Sequence, residues 1–303
     1  MTLQNDHSAP DLEDGKASFD TVYNGDDPRE YFDELGRLEY QIPHHGQQVF
    51  AALLAARRQP GGPAGAPARP TVLDVCCSYG INAALLSCDI NLAELEAYYL
   101  GDPPGGDGAP ARDDRSFFAA HRRPDAPRMV GLDVADRAVA YGCRAGLLDA
   151  GWVENLELSP PSAALAAEMT RTDLVTVTGG VGYVTARTFG HLLGAVGERR
   201  PPWVAAFCLR RFSYHDIADV AAAHGMVTER LAGRTFPQRR FASEEEREFT
   251  IRHLDAACLD ATGREADGYH HTDFYLSRPA DEVAARPLPE LLPALAATGV
   301  ERV

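Results

Sequence analysis

The chain has 303 residues, 45% hydrophobic and 24% charged, an ordinary globular composition that leaves room for one large domain or two small ones. Its 29 basic and 44 acidic residues give a formal charge of −15. Non-specific nucleic-acid affinity comes from Lys and Arg displacing counterions, so that charge argues against a nucleic-acid partner and for a small-molecule or carrier-bound one.

The first twenty residues are polar and acidic, without the basic-then-apolar layout of a secretory signal, and read as a tail. From Pro28 to Arg58, Phe32, Leu35, Leu38, Val49 and Leu53 recur at helical intervals, with Pro43 interrupting. Two helices are expected there, forming a lid and joined by a loop whose His44 and His45 read as a solvated pair, with a lid's acid or base as the alternative. Residues 59–68, rich in Pro and Gly, read as a linker, so 1–68 is expected to be separable and its helices removable without unfolding the rest. Next, short apolar runs (71–76, 129–133, 152–156, 174–178, 203–209, 227–231, 273–276) alternate with helical stretches (82–86, 137–148, 184–196, 215–224, 243–258). That alternation predicts an α/β fold with a mostly parallel sheet over residues 69–278. An insertion rich in Pro, Gly and Asp is expected near 101–127, a second long interruption at 234–268, and a coiled tail over 279–303. The charge run Glu244 to Glu248 is expected on a solvated helix face.

No apolar run approaches the roughly 18 residues that span a bilayer. Six cysteines at irregular spacing, without a C-x-x-C pair, predict reduced thiols in a cytoplasmic protein and no metal site; a homodimer stays open. Cys76 and Cys77 are adjacent, so their side chains point opposite ways and read as small residues fitting a tight turn.

The chemistry is expected where strands meet turns. Leu73-Asp74-Val75-Cys76-Cys77-Ser78-Tyr79-Gly80 is a strand running through a small-residue turn into a helix, with Gly80 suited to the entry dihedral. Gly131-Leu132-Asp133 ends a second strand on a carboxylate that suits ribose hydroxyls, with Val134 beside it; the alternative for Asp133 is a helix cap. The turn lacks G-x-G-x-x-G, which argues against NAD. Asn155, at the end of the third run, is a candidate for an adenine side or an ordinary loop amide. After the fourth run, Gly179, Gly180 and Gly182 permit close backbone approach around Tyr183. After the fifth, Ser213, Tyr214 and His215 begin a helix, where Ser213 either caps it or, with His215, faces a site.

These two motifs, in this order, resemble motifs I and II of the class I S-adenosylmethionine-dependent methyltransferases, over about residues 70–278. The usual first motif is L-D-x-G-x-G-x-G, and here Cys76 and Ser78 stand at glycine positions. The resemblance implies a Rossmann-like, mostly parallel seven-stranded sheet with a reversed last hairpin. It also implies S-adenosylmethionine as donor, bound by Asp74, Cys76, Ser78, Tyr79, Gly80, Asp133, Val134, Asn155, Gly179 and Gly180. Tyr183 would face the sulfonium, with Ser213 and His215 as further catalytic candidates. The expected reaction is methyl transfer to a small or carrier-bound metabolite. Three alternatives stay open: cyclisation of the donor to azetidine-2-carboxylate, aminocarboxypropyl transfer, and donor binding without catalysis.

Overall fold

The computed structural model describes residues 22–23, 25–58, 69–101 and 113–295, with the backbone of 300–302; the expected tail over the first twenty residues, the linker at 59–68 and part of the insertion lie outside them. The elements are α1 (Arg29–Arg37), α2 (Ile42–Arg58), β1 (Thr71–Val75), α3 (Ile81–Ser87), α4 (Leu92–Leu100), α5 (Asp114–His121), β2 (Arg128–Asp133), α6 (Asp136–Arg144), β3 (Ala150–Val153), α7 (Ala163–Met169), β4 (Leu174–Thr178), α8 (Ala186–Gly194), β5 (Trp203–Leu209), α9 (His215–Ala223), β6 (Met226–Leu231), β7 (Phe236–Arg240), α10 (Glu244–Ala256), β8 (Tyr269–Pro279), α11 (Ala280–Ala285), α12 (Leu288–Leu291) and β9 (Val300–Arg302).

One sheet runs β3-β2-β1-β4-β5-β8-β6-β9, with β7 pairing to β8. Strands β1 to β5 are mutually parallel, and β8 is antiparallel to both β5 and β6. The sheet is Rossmann-like and mostly parallel with a reversed strand, as the resemblance implied, with nine strands among the described residues in place of seven. Successive residues of a strand face opposite sides, so the buried strands feed two cores. Val72, Leu174, Ala205, Phe207 and Leu276 meet α1 to α6 on one side. Leu73, Val75, Val175, Val177, Val204 and Ala206 meet α7, α8 and α9 on the other.

Helix α2 does not behave as a lid. Val49, Phe50 and Leu53 are fully buried, and Phe50 meets the ring of Phe207 on β5 edge-on at 5.7 Å. At its far end Arg57 lies over Trp203 and pairs with buried Asp173, which also accepts from the Thr71 N–H. Pro43 does not end a helix; it sits in the first turn of α2, where a missing N–H costs no hydrogen bond. His44 and His45 are therefore helical rather than in a loop.

Three further expectations change. The third strand lies at Ala150–Val153, earlier than 152–156. The interruption 234–268 holds, besides the expected helix there (α10), the strand β7. Within the supposed solvated charge run, Glu246 is buried and takes both Arg239 NH groups, at 2.6 and 3.0 Å. Among the described residues no helix is long and apolar enough to cross a membrane.

Candidate active site

Ligands of open α/β sheets bind at the carboxyl ends of the strands where strand order reverses. Here that point lies between β1 and β4, which are adjacent and parallel while β2 lies on the other side of β1. The turn leaving β1 is left-handed at Cys76 (φ 57°), Ser78 (φ 49°) and Gly80 (φ 82°). The backbone thus keeps a glycine-like path at the two positions without glycine, at a cost of order 1–3 kcal/mol each. Hydrogen bonds hold it: Cys76 N–H donates to the Leu132 carbonyl at 2.8 Å, and Ser78 N–H to Asp133 Oδ2 at 2.8 Å. As expected, the paired cysteines diverge. Cys76 Sγ lies where it would stand 2.8 Å from a Cβ on Gly180, and Cys77 Sγ 2.6 Å from one on Gly131.

Asp133 sits at the tip of β2 and accepts three backbone N–H groups, from Ser78, Val134 (2.7 Å) and Ala135 (3.0 Å). Burial raises its pKa, and those three N–H groups counter the rise. It caps no helix: α6 starts at Asp136 behind Ala135. Ser78 Oγ is buried without a hydrogen-bond partner, a vacancy that a polar ligand atom fits. Around this tip the strand ends leave apolar side chains in solvent: Val134 (60% exposed), Val153 (48%) and Leu158 (74%). Asn155 Oδ1 accepts the Glu157 N–H at 2.9 Å, which is a loop-closing role.

Two expected ligand residues point elsewhere. Tyr79 is fully buried; its hydroxyl donates to the Val22 carbonyl at 2.9 Å and accepts the Gly25 N–H at 3.0 Å, so it anchors the N-terminal segment. Asp74 lies beneath the turn, accepting from Thr176 Oγ1 at 2.7 Å and Asn82 Nδ2 at 3.1 Å. Burial pushes its pKa up to about 7 against those two donors. An unfolded aspartate titrates near 4. Its contribution to stability is therefore complete below about pH 4 and is lost as pH rises to about 7. Asp74→Asn is expected to flatten this decline in melting temperature; an unchanged slope would place the titrating group elsewhere.

Opposite the turn, β4 runs into Gly179 (φ 73°) and Gly180. A Cβ on Gly179 would stand 2.7 Å from Gln238 Nε2 and 3.2 Å from the Tyr40 hydroxyl. Tyr183 is 49% exposed, and Tyr40, beside Gly179, is joined to Tyr23 through the ring of Tyr31, with centroids 6.2 and 6.0 Å apart. Sequence reasoning missed Tyr23, Tyr40 and Gln238, which arrive from the N-terminal segment and β7. It also missed Glu157, whose carboxylate receives Thr185 N–H, Thr185 Oγ1 and Thr188 Oγ1 at 2.6–2.8 Å. Those bonds hold the start of α8 and thereby the Tyr183 loop, and they help keep the Glu157 pKa low against burial. Ser213 and His215 are exposed at the start of α9; Ser213 Oγ meets His215 Nδ1 at 2.9 Å and accepts the His215 N–H. That is local helix-start geometry, and no hydrogen bond joins the pair to the crevice among the described residues. No group of three or more metal-ligating side chains gathers there either.

No family model matches the chain, and no curated protein matches it. Among solved structures it is similar to magnesium protoporphyrin IX methyltransferase from Synechocystis with bound S-adenosylmethionine, at 12% identity over 88% of this chain and 86% of that one, TM-score 0.38. A TehB-like S-adenosylmethionine-dependent methyltransferase from Corynebacterium glutamicum is 12% identical over 74% and 85%, TM-score 0.36. Precorrin-6y C5,15-methyltransferase from Geobacter metallireducens is 10% identical over 77% and 87%, TM-score 0.37. The chain's own sheet, with β8 reversed between β5 and β6, is a mostly parallel Rossmann-like α/β sheet.

Proposed function

We propose that the chain is an S-adenosylmethionine-dependent enzyme that transfers a methyl group to a small-molecule or carrier-bound metabolite. The observation carrying this reading is Asp133, a carboxylate at the tip of β2 that three backbone N–H groups hold beside the β1 turn. Three bonds leave one of its roughly four acceptor positions for a ribose hydroxyl. Ser78 Oγ supplies a second polar contact, and Val134, Val153 and Leu158 supply apolar surface for a purine. Gly179 and Gly180 let a ligand approach the backbone, and the half-exposed Tyr183 ring offers its face to a cation. A sulfonium donor arrives already activated, so the protein's task is alignment rather than acid–base work. That fits a crevice in which no catalytic triad gathers among the described residues.

A second reading has support from the N-terminal segment. Tyr79 pins Val22 and Gly25 to the turn, and Tyr40, linked to Tyr23 through Tyr31, stands beside Gly179, where these rings narrow the way for an acceptor. In a crevice closed that way the donor's α-amine attacks its own γ-carbon, the carbon–sulfur bond breaks, and methylthioadenosine leaves azetidine-2-carboxylate behind. Attack by another nucleophile at that carbon gives aminocarboxypropyl transfer. Incubation with donor alone, read by mass spectrometry, separates these. We expect no methylthioadenosine without acceptor, and adenosylhomocysteine once a metabolite extract is added. Methylthioadenosine from donor alone would establish cyclisation instead. Failure of adenosylhomocysteine to bind by calorimetry would remove the donor assignment altogether.

A further inference from the structure

We propose that Arg211, beside the Tyr183 loop, binds an oxyanion, a carboxylate or phosphate, carried by the acceptor. The proposal rests on the donor reading above and names the acceptor's chemical class.

Arg211 follows β5 by two residues, and its guanidinium lies 4.5 Å from the Phe212 ring centre and 5.7 Å from that of Phe249. Phe212 in turn packs on the β4 loop: a Cβ on Gly182 would stand 2.5 Å from its ring. Arg211 therefore lies beside the loop that carries Tyr183.

The partner accounting singles it out. Arg57, Arg123, Arg211 and Arg278 each bury an Nε without a hydrogen bond. In the other three another nitrogen is used: Arg57 by Asp173, Arg123 by the Leu85 carbonyl, Arg278 by Glu229 and the Arg286 carbonyl. Arg211 has no hydrogen bond or ion pair to any described residue. The carboxylate that acts on it, Glu246, has three of its acceptor positions filled by two Arg239 nitrogens and the Ala242 N–H, with His270 Nε2 3.2 Å away. Burial disfavours the charged guanidinium, and the Arg239 cation adds to that. A half-buried cation with no described carboxylate at ion-pair distance, in a chain carrying 44 acidic residues, is a position kept for an anion from outside. The planar guanidinium fork matches the two oxygens of a carboxylate or phosphate.

The test measures melting of the full chain with adenosylhomocysteine present, in sodium phosphate or sodium acetate against sodium chloride at equal ionic strength. Phosphate, acetate or both are expected to raise the wild-type melting temperature by about 2–4 °C, and the anion that acts identifies the class. Arg211→Gln is expected to lose the rise, while Arg211→Lys, which keeps the charge but not the fork, retains part of it. Calorimetric affinity for adenosylhomocysteine is expected to stay unchanged in both variants. An equal rise in wild type and Arg211→Gln, or no rise in wild type, overturns the proposal. A drop in adenosylhomocysteine affinity in Arg211→Gln would assign Arg211 to the donor and overturn the acceptor site. If the wild type fails to bind adenosylhomocysteine, the donor reading falls by itself, since the anion shift is read separately.

Discussion

Removing residues 1–58 is expected to abolish cooperative unfolding of the remaining chain, and Phe50→Ala alone to cost about 3–5 kcal/mol. Phe50 is fully buried against Phe207, and Phe207 packs on Phe236 and Phe274 at 5.1 and 5.0 Å, so one ring joins α2 to β5, β7 and β8. Loss of the whole helix also strips Val49 and Leu53 from the sheet and leaves Asp173 buried without its arginine. Native stabilities are of order 5–15 kcal/mol, so the truncated chain cannot offset these losses. Denaturant unfolding followed by circular dichroism checks this. A single sharp transition with the wild-type m-value in the truncated chain would show that the sheet face stays covered without α2.

That outcome reverses what the Pro/Gly stretch at 59–68 suggests, and the reason is physical. Composition reports local stiffness, whereas separability depends on contacts that cross the linker, and those of α2 reach β5 in the middle of the sheet. Elements set by local apolar content were legible: Leu174–Thr178 and Trp203–Leu209 are strands with the bounds read from sequence, because strands buried on both faces read as unbroken apolar runs. Strand β7, Phe-Pro-Gln-Arg-Arg, was not legible, since its Pro and its two arginines look like a loop until Arg239 finds Glu246 and Arg240 finds Glu39. Helix α4 carried a readable signal that was passed over: Asn91 and Glu94 form a capping box. Within the site, the turn and Asp133 were visible as a strand meeting small residues and a strand ending in a carboxylate. The role of Tyr79 was not, because its partner Val22 lies 57 residues away and the bond is made to a carbonyl that no sequence pattern marks.

The same non-local bonding changes what is expected of Asp133. Read from sequence, Asp133→Ala should weaken donor binding far more than it destabilises the fold. In the structure the carboxylate also holds Ser78, Val134 and Ala135 N–H groups, with Ser78 forced into a left-handed conformation. Alanine would leave those donors unpaired, each costing about 1–3 kcal/mol where water cannot reach it, and would release the turn. Asp133→Ala is therefore expected to lower the melting temperature as well as donor affinity. Asp133→Asn keeps the shape and one acceptor oxygen but loses the charge and turns an N–H toward one of its former donors. Loss of a charge-assisted bond is worth about 1.5–3 kcal/mol, so the asparagine variant should bind adenosylhomocysteine about tenfold to a hundredfold more weakly while still folding. Calorimetry beside thermal melts reads both quantities. Wild-type affinity in a folded asparagine variant would mean that Asp133 serves the turn alone, and that the ribose lies elsewhere along the strand ends.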